Sequence, residues 1–442
     1  LQVFEDGEKT DLLQFNYMND LLTFIDRSPS PFHAVDNLCR ELAEAGYTRL
    51  SESSSWQLAH GGKYFVTRNG SALLAFRIPR AGFTGFLFSA SHSDAPTFRV
   101  KENAEMAGPD GYLRLNTEGY GGMLCAPWLD RPLTVAGRVL VQAGDAIETR
   151  LVYVDRDLLM IPNVAIHMNR DANNGYKYDR KSDMVPLLGL GKDTGAFRAL
   201  IAQTAGCTEA DILGWDLVLA PREKGLVWGL DNEFVSSPRL DDLQCAYGCF
   251  RGFLAAKDSD SIPVFALLDN EEVGSLTKQG ADGTFLSDLV DRICAALGKD
   301  RATAVANSFL VSADNAHAVH PNHPEYADPT HRPVMNGGIV IKHGTRYATD
   351  AAAQAVFTAL CRQADVPVQH FFNRSDMAGG STLGNIANAH VSMNTVDIGL
   401  PQLAMHSCFE TAGVKDTDYL VKAMTAFYGA CLREENGRFT LA

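Results

Sequence analysis

Residues 262–274 read Ile262-Pro263-Val264-Phe265-Ala266-Leu267-Leu268-Asp269-Asn270-Glu271-Glu272-Val273-Gly274. A continuous apolar run of this length fits a strand buried on both faces, as in sheets that carry helices on each side. It runs straight into adjacent carboxylates. Around it, strand and helix patterns alternate from Glu233 onward: Leu240–Ala256 as helix, Ser308–Val311 as strand, Asp350–Gln363 as helix, Val391–Ile398 as strand and Asp416–Glu434 as a long closing helix. Such alternation implies an α/β fold, a mixed sheet with helices on both faces.

Upstream, Met18 opens a short helical pattern that breaks at Ser28-Pro29-Ser30-Pro31. A second helix follows, with Val35, Leu38, Leu42 and Ala45 as its apolar stripe. Lys63–Thr67 and Leu73–Ile78 flank Asn69-Gly70, a hairpin signal. Phe86–Ala90 is a further strand and leads directly into Ser91-His92-Ser93-Asp94. Between about 102 and 233 the pattern changes to Gly-rich, short β-like runs (Thr134–Val141, Thr149–Val154) joined by long polar connections such as 169–183. The economical reading is one α/β domain, 18–101 plus 234–442, interrupted by a β-rich insertion, 102–233. Residues 1–17 precede the first helical pattern and start without Met; a tag or leader remnant outside the fold is expected there.

The 442 residues carry 39 Lys plus Arg against 53 Asp plus Glu, a net charge of -14. Nucleic acid and anionic membrane surfaces both need a basic face, so neither is expected as the main partner. No apolar run approaches the ~20 residues of a membrane span. Nine cysteines, an odd number without a CxxC pair, fit free thiols in a reducing compartment, so a cytoplasmic location is expected.

Five segments are dense in metal-ligand types: His92-Ser93-Asp94; Pro238-Arg239-Leu240-Asp241-Asp242; Asp269 to Gly274; Val311-Ser312-Ala313-Asp314; and Pro401-Gln402-Leu403-Ala404-Met405-His406-Ser407. Each has an ordinary reading. An Asp opening a helix is usually an N-cap, the reading taken for Asp242. Adjacent glutamates are often solvated turn residues, and the run from His317 to His323 fits a surface loop. The joint pattern outweighs these readings, because acids and histidines repeatedly end apolar strands, where open α/β sheets place their ligands. Two His and three acids would satisfy two divalent ions, zinc first, with manganese or cobalt able to share the set. A fourth acid remains as general base.

These motifs, with Ala316-His317-Ala318-Val319-His320-Pro321-Asn322 and Ile161-Pro162-Asn163-Val164-Ala165-Ile166-His167, resemble the aspartyl aminopeptidase family of dizinc exopeptidases. The resemblance runs from about Met18 to the C-terminus. It implies a zinc-exopeptidase domain interrupted by a β-rich dimerisation domain, acting on peptides with N-terminal Asp or Glu. Asp241 would bridge two metals, His92 and Asp314 would complete one site, and Glu272 and His406 the other. Glu271 would be the general base and Asp94 would orient His92. Lys342 and Tyr347 match substrate-contacting residues, and His317 a further active-site histidine. His167 would reach into the partner subunit's active site, within a dodecamer built from dimers. Leu158–Ile166 reads as an apolar strand suited to that dimer contact. The rival readings are a dizinc carboxypeptidase or deacylase of the same clan, and a non-catalytic assembly or cargo-binding protein.

Overall fold

The computed structural model describes residues 17–191 and 195–441. Residues 1–16, most of the segment expected to be a tag or leader, lie outside the described residues, while Tyr17 already belongs to a helix over 17–26. Nine strands form the central sheet: β1 Thr48–Arg49, β2 Lys63–Arg68, β3 Ala72–Arg77, β4 Phe86–His92, β5 Ile262–Leu268, β6 Phe309–Ala313, β7 Ile339–His343, β8 Val368–Phe372 and β9 Asn394–Gly399. Their spatial order is β1-β2-β3-β5-β4-β6-β9-β7-β8. The hairpin β2–β3 turns at Asn69 and Gly70, which take φ values of 59° and 70°. That left-handed backbone is least costly for Gly and Asn.

The middle strands β5, β4, β6 and β9 run parallel. Parallel neighbours end at one edge of the sheet, so the residues that follow them gather there. His92 ends β4, Asp269 to Glu272 follow β5, Asp314 follows β6, and His406 lies beyond β9. This edge is the crevice in which open α/β sheets bind ligands.

Both faces are covered, as alternation predicts. Phe265 and Leu267 of β5 join a core with helices Pro31–Glu44, Leu240–Ala255, Ala351–Gln363 and Asp416–Gly429. Val264, Ala266 and Leu268 point the other way, into a core with Phe285, Leu289 and Ile293 of helix Phe285–Leu297. All seven residues of β5 are buried. The first of these helices buries Val35, Leu38 and Leu42, whereas Ala45 falls at its C-cap.

A second sheet is wholly antiparallel, with strands Ala146–Tyr153, Leu133–Ala143, Ile212–Pro221, Thr97–Ala107, Tyr112–Tyr120 and Leu187–Leu190 in spatial order. It has its own core around Trp128, Phe197 and Trp215. A third, five-stranded sheet pairs Phe234–Ser237 with Glu410–Gly413 and carries Pro401–Leu403 and Ala316–His317 at its far side. None of the described helices is long and apolar enough to cross a membrane.

Two local expectations are corrected. The closing helix stops at Gly429, and Leu432–Glu435 pairs with Arg438–Leu441 in a hairpin. Asn436 and Gly437 form its turn with positive φ, a signal that the helical pattern upstream obscures. Leu158–Ile166 is not a strand. Leu159, Met160 and Ile161 make isolated bridges, and from Pro162 to Ile166 the chain is exposed loop, held at Asn163 by the Asp130 carboxylate. Proline supplies no N–H for a ladder, so pairing stops there.

Candidate metal centre

The sheet edge brings seven side chains from the five singled-out segments into one cluster. His92 Nε2 lies 3.3 Å from Asp241 Oδ1 and 3.8 Å from Asp314 Oδ1. His406 Nε2 lies 3.4 Å from Glu272 Oε2 and 3.9 Å from Asp241 Oδ2. Asp241 thus turns one carboxylate oxygen toward each imidazole. Potential ligand atoms of His92, Asp241, Asp242 and Asp314 converge within 4.8 Å, as do those of Asp241, Glu272 and His406, and those of His92, Glu271 and Glu272.

Both imidazoles are aimed by hydrogen bonds on their other nitrogen. His92 Nδ1 faces the Asp94 carbonyl at 3.0 Å and the Asp94 carboxylate at 3.4 Å. His406 Nδ1 faces the Gly122 carbonyl at 2.7 Å. A proton on each Nδ1, assigned from these partners, leaves Nε2 as a lone-pair donor toward the cluster. Asp94 also accepts from the backbone N–H groups of Glu271 (3.1 Å) and Glu272 (3.2 Å), so one buried carboxylate fixes His92 and the Glu271–Glu272 turn together.

The donor set fits divalent cations on two grounds. Asp241 Oδ1, Asp242 Oδ1 and Glu272 Oε1 are buried without any hydrogen-bond partner, a costly arrangement unless something else satisfies them. Burial, and after it the charges of neighbouring acids, pushes the Glu271 carboxyl up to about 8 and Glu272 and Asp242 well above the usual carboxylate range. Lys342, against Asp314, is one cation beside several acids, and imidazole with carboxylate oxygen is a zinc-compatible set.

Beside these ligands is a cavity of about 210 Å³ whose walls include Glu271, His317, Lys342, Tyr347, Thr382 and Met405. His317 is exposed and lies near Phe371, with ring centroids 5.8 Å apart. Lys342 is buried and its Nζ donates to Asp314 Oδ2 at 3.2 Å. The Asp314 charge holds this ammonium above its ordinary pKa although burial alone would lower it. Tyr347 packs with its ring centroid 5.9 Å from Lys342 Nζ. His167 is the residue not brought in: it is exposed on the loop after Pro162 and does not line this cavity.

Asp242 requires a correction. It lies in the first turn of helix Leu240–Ala255, but Arg239 holds the N-cap position; Asp242 is fully buried, and its Oδ2 accepts the backbone N–H of His92 at 3.0 Å. Two other groups went unsingled in the sequence. Glu410, 1% exposed, accepts the backbone N–H of Asp241 at 3.0 Å and that of His406 at 2.8 Å, tying together two potential ligands. Tyr120 donates to Asp94 Oδ2 at 2.6 Å. For Glu410 a signal existed, an acid four residues after His406 within an apolar stretch. For Tyr120 none did.

Residues 24–428 match the family model of aminopeptidase I zinc metalloproteases (M18). The chain belongs to the M18 family. An M18 relative from Clostridium acetobutylicum, described as a probable M18 family aminopeptidase 2, is 45% identical over 429 residues, covering 94% of this chain and 99% of the relative. Among solved structures, the cryo-EM structure of the Ape4 and Nbr1 complex superposes with a TM-score of 0.91 at 35% identity, covering 94% of this chain and 86% of the other. The S. cerevisiae mApe1 dodecamer gives 0.83 at 30% identity, covering 93% and 96%. The M18 assignment makes the chain a zinc metalloaminopeptidase and accounts for the acid and histidine content of the sheet edge.

Proposed function

We propose that this M18 chain is a cytoplasmic, dizinc aminopeptidase that prefers peptides with N-terminal Asp or Glu. The observation that carries the dizinc part is Asp241, whose two oxygens face separate imidazoles while Oδ1 lacks a protein donor. His92, Asp241 and Asp314 would hold one cation, and Asp241, Glu272 and His406 the other. When bound, the cations supply Lewis acidity toward the scissile carbonyl and toward the attacking water. Glu271, on the cavity wall and adjacent to Glu272, takes the proton of that water and returns it to the leaving amine. Neighbouring side chains diverge, so the pair divides base and ligand roles. Asp94, through its contact with Nδ1, keeps His92 in the tautomer that presents Nε2. Hydrolysis of Asp- and Glu-naphthylamides but not of N-acyl amino acids is the expected result; cleavage of the acylated set alone would make the protein a deacylase, and no turnover in zinc-replete protein a binding module.

Lys342 is assigned the acidic side chain of the substrate. It lines the cavity, and its contact with Asp314 uses one of three donors. Lys342→Met should raise KM for Asp and Glu substrates far more than for Ala or Leu substrates. A uniform loss across side chains would mean that Lys342 acts through Asp314 instead. Tyr347 and His317 would contact the substrate from the same walls.

The insertion, 102–233, is assigned to dimerisation within a larger homo-oligomer, in line with the dodecameric relative. Exposed Val164, Ile166 and Met168 beside His167 support a partner contact there. His167 would then complete the partner subunit's site, donating to substrate or developing oxyanion, a role worth roughly 2.7–4 kcal/mol in kcat. His167→Phe should keep the assembly and the metals while depressing kcat. Co-refolding it with inactive Glu271→Gln should restore part of the activity, since hybrid dimers contain one site with both residues intact. No recovery, with hybrids demonstrated, would place His167 in its own subunit or outside the reaction.

A further inference from the structure

The turn that leaves strand Tyr112–Tyr120 of the six-stranded sheet grips the metal centre of its own chain at both ends. Tyr120 Oη donates to Asp94 Oδ2 at 2.6 Å and accepts from Asn270 Nδ2 at 2.9 Å. Asn270 is itself locked, because its Oδ1 accepts from Thr277 Oγ1 at 2.9 Å and Gln279 Nε2 at 2.8 Å, which orients the amide. With its acceptor side occupied by Asn270, the tyrosine's single proton is committed to Asp94. Two residues on, Gly122 receives His406 Nδ1 at 2.7 Å, and Leu124 N–H donates to the His406 carbonyl at 3.0 Å. Between them Gly121 has φ +76°, and a Cβ there would sit 3.2 Å from Glu272 Cβ and 3.3 Å from Pro96 Cα. The positive φ favours glycine there, and the close approach leaves little room for a side chain.

We infer that residues 120–124 are a positioning clamp by which the insertion sets both halves of the metal centre in cis. Tyr120 is the positioning residue for the half built on His92, acting through Asp94, which also holds the Glu271–Glu272 turn. Gly122 and Leu124 hold His406 in the other half. The insertion therefore serves its own subunit's chemistry as well as any partner contact, and this inference rests on the dizinc reading above. Partners that orient metal ligands are typically worth 10–100-fold in metal affinity or activity.

Tyr120→Phe removes one proton donor and keeps the ring. The experiment measures zinc uptake against a competing chelator, kcat and KM on an aspartyl substrate, and the Tm of the metal-free protein, for wild type, Tyr120→Phe, Asp94→Asn and the double variant. Expected for Tyr120→Phe are a 10–100-fold loss in zinc affinity or kcat, little change in KM, and a metal-free Tm close to wild type. The double variant should be little worse than Asp94→Asn alone, because both changes break one path. Zinc affinity and kcat equal to wild type would overturn the inference. So would losses that add fully to those of Asp94→Asn, or a fall in metal-free Tm that accounts for them, since either makes Tyr120 a packing residue. Failure of the wild type to take up two zinc ions would overturn the dizinc reading and this inference with it; parity between wild type and Tyr120→Phe overturns this inference alone.

Discussion

Glu271→Gln lowers kcat by at least ~100-fold, the scale expected for loss of a general base, while the zinc content stays at the wild-type level. The substitution keeps the length and most of the packing of the side chain and leaves the backbone N–H that donates to Asp94 at 3.1 Å. What it removes is the carboxylate that takes and returns a proton. Glu272 shares the same turn, and its Oε2 lies 3.4 Å from His406 Nε2, so the same change at 272 should cost metal first and turnover as a consequence. Zinc analysis and steady-state kinetics on one preparation separate the two. If Glu271→Gln lost zinc and Glu272→Gln kept it, the roles within the pair would be reversed.

Asp241→Asn has the second large effect, depletion of both cations together. A carboxylate with one oxygen toward each half-site offsets the repulsion between two neighbouring cations; an amide carries no charge and offers a single acceptor oxygen. Asp242→Asn is expected to differ in kind. Asp242 holds the backbone of His92, so its loss should weaken the cation held by His92 and Asp314 more than the one held by Glu272 and His406. Stepwise zinc titration reads this directly. Identical depletion of both positions by the two substitutions would contradict the choice of Asp241 as the bridge.

Much of this architecture is visible in the amino-acid order because the signals are local. Seven apolar residues running into Asp269 announce β5 and the acidic turn after it, and Asn69-Gly70 announces the β2–β3 hairpin. The parallel arrangement of β4, β5, β6 and β9 then brings together residues that end separate strands. The supporting contacts are not local. Tyr120 meets Asp94 from a strand of a different sheet, and Glu410 reaches Asp241 across 169 positions. Tyr120 belongs to no motif, and the acid placed four residues after His406 does not by itself show that it meets Asp241, so only the folded chain reveals these contacts. Asp242 misleads for a related reason: an acid at a helix start is ordinarily an N-cap, and only the proximity of His92 makes it a buried acceptor. Leu158–Ile166 shows the opposite limit, since its apolar content suggested a ladder that Pro162 ends.

The most direct measurement of the central claim is zinc bound per chain, determined together with the rate of aspartyl-substrate hydrolysis as metal-free protein is titrated with zinc. The dizinc reading requires two equivalents bound, with activity rising to its maximum only as the second is taken up. Full activity at one equivalent or none, or two bound equivalents with hydrolysis confined to N-acyl amino acids, would contradict it.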